Sequence, residues 1–114
     1  MTELYGIKNC DKVRAARKWL DNAGIDYTFV DIRETALSDQ QLKTWQQALG
    51  WEALVNKRST TWKGLSDEQR AGLTPASSLK LVGSQPTLLK RPVLVHGDAV
   101  YNGFTPAQYS DIFT

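Results

Sequence analysis

Between Leu4 and Ile32 the chain passes from a short apolar run to a helical period and back to a β-branched run, and this limits the fold more than any other feature. Leu4-Tyr5-Gly6-Ile7 ends in polar Lys8-Asn9 and reads as a first strand. Asp11 to Ala23 reads as a helix. Val13, Ala16, Arg17 and Leu20 follow the i, i+3, i+4, i+7 spacing, while Lys12, Arg14, Lys18 and Asp21 supply a wet side. Gly24 is placed to end that helix in a left-handed conformation. Tyr27 to Ile32, rich in aromatic and β-branched residues, reads as a second strand. A strand–helix–strand unit of roughly 30 residues forms two parallel strands with a right-handed crossover.

A helix-rich stretch follows. Ser38-Asp39-Gln40-Gln41 is a capping-box pattern for a helix to about Leu49, with Leu42, Trp45 and Leu49 inward, and Gly50 stops it. Trp51 to Val55 reads as a short helical turn, and Ser66-Asp67-Glu68-Gln69 is a second capping box. Thr74-Pro75 opens a helix to about Val82, and Gln85-Pro86 a last turn before Arg91-Pro92. Val93–His96 and Ala99–Tyr101, joined by Gly97-Asp98, form a hairpin. After Gly103, Thr105 caps a final helix with Pro106 in its first turn. The predicted order is β-α-β, helices, β-β-α. That is a thioredoxin-like α/β fold over residues 1–114, one domain with a helical insertion at about 36–88.

Composition excludes several roles. The formal charge of +2 on 114 residues does not suggest a nucleic-acid coat, and no apolar run is long enough to span a bilayer. The N-terminal Met1-Thr2-Glu3-Leu4-Tyr5 has no basic and apolar leader pattern, so a cytoplasmic location is expected. One cysteine permits no internal disulfide, and one cysteine with one histidine makes no ordinary zinc site.

That cysteine carries the chemistry. Cys10 falls between the first strand and the first helix, beside the N–H groups of Asp11, Lys12 and Val13. Those donors and the helix dipole favour an anion, and thiols so placed are reactive. Lys8 and Arg14 add positive charge and Asp11 opposes it. The alternative is a buried, inert thiol, which polar neighbours Asn9 and Asp11 argue against. A C-x-x-C pair would need cysteine at Val13, and a C-x5-R loop would need arginine at Ala16. An oxidised Cys10 therefore needs an outside thiol, for which glutathione is the cytosolic candidate. Arg91-Pro92 is either a cis step, turning backbone toward Cys10, or an ordinary trans proline. Arg58, in the polar stretch Asn56–Trp62, reads on its own as a loop arginine. His96 reads as structural, and Trp19, Trp45, Trp51 and Trp62 as packing residues.

Three blocks in order resemble the arsenate reductase-like (ArsC) family, within its YffB/Spx branch. They are Tyr5-Gly6-Ile7-Lys8-Asn9-Cys10-Asp11, Trp51 to Trp62 and Leu89 to Val95. The resemblance implies Cys10 as nucleophile, a cis peptide at Pro92, and Arg14, Arg58 and Arg91 around an anion beside the sulfur. Arginine suits that task because its fork grips oxyanions at two points. Arsenate reductases of this fold carry histidine where Gly6 stands and an arginine where Phe104 stands. Spx-type regulators often carry a C-x-x-C switch, which Val13 interrupts. The resemblance thus implies a monothiol oxidoreductase with no bound cofactor, with glutathione and a glutaredoxin as its partners. The alternative is a Spx-like module that docks on RNA polymerase without turnover.

Overall fold

The computed structural model describes residues 2–113. In chain order its elements begin with β1 (Thr2–Gly6), α1 (Asp11–Asn22), β2 (Thr28–Asp31), α2 (Asp39–Leu49) and α3 (Trp51–Leu54). They continue with α4 (Thr60–Lys63), α5 (Asp67–Ala71), α6 (Pro75–Ser84), a 3-10 turn (Pro86–Leu88), β3 (Val93–His96), β4 (Ala99–Asn102) and α7 (Pro106–Ile112). The chain divides into two compact units, one running to Thr35 and resuming at Arg91, the other Ala36–Lys90. None of the helices is long and apolar enough to cross a membrane.

The first unit is a thioredoxin-like sheet in the order β2-β1-β3-β4. β1 runs parallel to β2 and antiparallel to β3, with Leu4 opposite both Phe29 and Leu94. β3 and β4 form the hairpin, turned by Gly97 at φ +61°. Leu4 and Leu94 point to one face, where Ala16 and Leu20 of α1 and Tyr109 of α7 close a fully buried core. Each buried leucine there contributes roughly 1.5–3 kcal/mol. Trp19, Phe104 and Phe113 surround Tyr109 with ring centroids 5.6, 4.7 and 6.2 Å away.

Helix α1 ends as its sequence specifies. Gly24 takes φ +71°, its N–H donates to the Asp21 carbonyl, and the Ile25 N–H reaches back to Leu20 at 3.1 Å. Those two bonds are the Schellman pattern, and Ile25 packs on the Leu20 cluster. Arg17, on the apolar side by spacing, lies over the Phe29 ring at 4.2 Å and donates to the Tyr27 hydroxyl at 3.4 Å. Its stem covers apolar surface while its head stays polar. His96 is structural, with Nδ1 at 2.9 Å from the Thr2 hydroxyl and its ring against Phe113.

The second unit is built on side-chain caps. Ser38 with Gln41, Ser66 with Gln69, and Thr74 with Ser77 each form a reciprocal capping box. Its last residues are tied to its middle by a Val55–Leu89 bridge, with the Asn56 N–H on Leu88 at 2.8 Å and the Lys90 N–H on Leu54 at 2.7 Å. Leu42, Trp45, Leu54, Val82, Leu88 and Leu89 are buried. Two features differ from the sequence expectation. Helix α6 continues to Ser84, past Val82. Helix α4 arises inside the polar stretch because the Ser59 hydroxyl accepts from the Trp62 N–H at 3.0 Å. A single turn is too short to display a hydrophobic period.

Candidate active site

Cys10 is the N-cap of α1. Its backbone is extended (φ −88°, ψ 126°), its N–H closes a turn onto Ile7 at 3.1 Å, and its carbonyl accepts from Arg14 at 2.9 Å. Oxygen-bearing residues are preferred here because they accept from first-turn N–H groups. Helices α2, α4, α5, α6 and α7 all use serine or threonine in this way. Helix α1, the longest in the chain, makes no side-chain cap bond. Leaving out an oxygen cap costs about 1 kcal/mol, and what stands there instead is a half-buried cysteine at the positive end of the helix dipole.

The Arg91–Pro92 peptide lies at the same end of the sheet. Tyr5 pairs with Val93, so the end of β1 that leads into Cys10 adjoins the start of β3. The Arg91–Pro92 bond is cis, and the Pro92 carbonyl accepts from the Gly103 N–H at 2.9 Å. Pro92 is buried and Arg91 is half-buried, and the Arg91 Nε is sealed from solvent with no hydrogen-bond partner. A buried donor without an acceptor costs roughly 1–3 kcal/mol. An oxyanion or carboxylate at this end of the sheet would satisfy it.

Arg14, Lys8 and Arg58 are placed differently. Arg14 is exposed and its guanidinium is taken by Asp11, one turn back on α1. Lys8 is exposed and pairs with Glu34 at 3.6 Å. Arg58 is exposed in the helical unit, where its backbone N–H donates to the Asn56 Oδ1 at 3.0 Å. The sheet unit therefore gathers Cys10, Arg91 and Pro92 at one end and holds Arg14 in a surface ion pair.

Nothing in the local pattern around Gly6 assigns it a packing partner. The structure gives it a packing role: a β-carbon on Gly6 would lie 2.6 Å from Val13 Cγ2 and 3.0 Å from Val13 Cγ1. An isolated glycine inside a strand pattern is the available signal for such a close approach. Phe104 packs edge-on against Tyr109. Gly6 and Phe104 are both packing positions here.

A sheet of this order, with cysteine heading its first helix and a cis-proline just before its third strand, defines a thioredoxin-like protein. The chain belongs to the ArsC family, whose profile matches residues 5–112. It is similar to the solved YffB protein at 35% identity, with each chain covered completely and a TM-score of 0.95. An arsenate reductase-related protein of Brucella melitensis is 40% identical over 99% of this chain and 94% of its own, with a TM-score of 0.81. A Haemophilus influenzae protein is 37% identical over 99% of both chains. More distantly, the global transcriptional regulator Spx 2 of Bacillus anthracis is 27% identical over 91% of this chain and 80% of its own.

Proposed function

We propose that this protein is a monothiol oxidoreductase in which Cys10 is the nucleophile and glutathione the outside reductant. The reading is supported foremost by the sulfur at the uncapped start of α1. In the first step the Cys10 thiolate attacks one sulfur of a substrate disulfide, forming a mixed disulfide and expelling the other sulfur as thiolate. A glutathione thiolate then attacks that mixed disulfide, restores the Cys10 thiolate and leaves the substrate sulfur bound to glutathione. A second glutathione releases the substrate thiol and forms oxidised glutathione, so two electrons pass from two glutathiones to one disulfide. Arg91 holds the anionic partner, since its Nε lacks an acceptor within the fold. Arg14 supplies charge once released from Asp11, and Arg58 enters on the family resemblance alone.

The test is intact-mass spectrometry after exposure to oxidised glutathione. One glutathione should add to the native protein, none to Cys10→Ser, and the adduct should be removed by reduced glutathione with glutaredoxin. An unmodified native protein would end this reading.

The match to Spx 2 supports a second reading, a regulatory module that binds RNA polymerase without turnover. Pull-down with the C-terminal domain of the polymerase α-subunit, beside a glutathione-coupled reductase assay, separates the two. Binding without turnover selects the module, and turnover without binding selects the enzyme.

A further inference from the structure

The helical unit carries a groove that the thiol chemistry does not use. It measures about 660 Å³ and lies between α2 and α6, its walls formed in part by Leu37, Leu42 and Leu79. Small-molecule sites have this size and this apolar character, with a few polar groups to fix orientation. Here the polar groups are mostly donors. Lys43 and Lys80 line the groove, are exposed, and among the described residues have no ion-pair partner. Gln46 lines it too, and its Nε2 is buried without an acceptor. Asp39, in the first turn of α2, is the one carboxylate on the lining, so the rim is net positive.

Gly83 leaves space in the opening. It sits within α6 and also lines the groove. Its φ is not left-handed, and a β-carbon there would meet Leu42 Cδ1 at an ordinary 3.6 Å. Neither backbone conformation nor close packing requires glycine, and glycine is a poor helix former. What the missing side chain preserves is room in the groove.

We propose that the α2–α6 groove binds a small amphipathic carboxylate, its apolar body against the leucines and its head group between Lys43 and Lys80. The amide of Gln46 offers a further donor to an oxygen of the ligand. The site lies wholly within residues 36–90 and is independent of Cys10.

Decanoate below its micellar concentration is the probe, titrated into the full-length protein and followed by amide NMR shifts. Saturable shifts confined to α2 and α6 are expected, with decylamine binding at least tenfold more weakly. Lys43→Glu and Lys80→Glu should each weaken decanoate about fivefold to tenfold with an unchanged circular dichroism spectrum, and Gly83→Leu should abolish binding. Equal response to decanoate and decylamine, or shifts spread over the sheet, would overturn the proposal. So would shifts at α2 and α6 that depend only on protein concentration, which would mark a second copy as the occupant, or a response to an acidic peptide but not to decanoate.

Discussion

Gly6 and Val13 fit each other as backbone to side chain: the β-carbon that Gly6 lacks would fall 2.6 Å from Val13 Cγ2. Val13 is fully buried, in the first turns of α1. The contact joins the end of β1 to the helix that Cys10 heads. A side chain at Gly6 would collide with Val13.

Gly6→Ala should therefore destabilise the protein by about 1–3 kcal/mol through overpacking. Val13→Ala alone should also cost stability, by leaving a cavity. The double variant should be more stable than the sum of the two losses predicts, because each change relieves the other. Urea denaturation of all four proteins checks this, and strict additivity would contradict the contact.

Arg91 and Arg14, both in the sheet unit, should behave differently. Arg91→Gln is expected to slow the reaction of Cys10 with an anionic disulfide reagent about tenfold, while uncharged iodoacetamide is affected less. Arg14→Ala should have a smaller effect, since its guanidinium already pairs with Asp11. Stopped-flow rates for both reagents, with and without 0.5 M salt, measure the difference. Equal loss with the charged and the neutral reagent would remove Arg91 from the anion site.

Tyr109 is fully buried, its hydroxyl has no hydrogen-bond partner, and burial pushes its phenol well above the ordinary tyrosine range. Tyr109→Phe should thus raise stability by about 1 kcal/mol rather than lower it. The pH dependence follows. An unfolded tyrosine ionises near about 10, while Tyr109 in the fold stays protonated. Its contribution is complete below that pH, and stability then falls by about 1.4 kcal/mol per pH unit as the unfolded state sheds a proton the folded state keeps. Urea midpoints of the native protein and Tyr109→Phe between pH 8 and 11 should diverge in that sense.

Gly83→Ala should stabilise the helical unit by up to about 1 kcal/mol, since the new methyl makes an ordinary contact with Leu42 and glycine is replaced in α6. A rise in the thermal midpoint checks this. A fall would mean that the helix there is distorted in a way an alanine cannot follow.

Much of the fold was legible because the chain states it locally. Ser38, Ser66, Thr74 and Thr105 each announce a helix by a hydroxyl that accepts from the third N–H onward, and Gly24 announces an end. Helix α4 was not legible, because Ser59 caps only one turn and no glutamate or glutamine follows to complete a box. Cys10 was legible from its place between a strand and a helical period. The orphaned Nε of Arg91 was not, because burial of one nitrogen depends on neighbours that sequence spacing does not name. The same holds for the Gly6–Val13 contact, which is set by how closely α1 lies on β1.

The sheet is assembled from both ends of the chain. Thr2 and His96, bonded across β1 and β3, are 94 residues apart. During synthesis the β1–α1–β2 segment must therefore emerge and wait, with one flank of β1 unmatched, until residues 93–96 have also left the ribosome. Long-range pairing of this kind slows folding and leaves an open strand flank prone to aggregation meanwhile. The helical segment made in between carries its own capped helices, so its local structure does not depend on that late pairing.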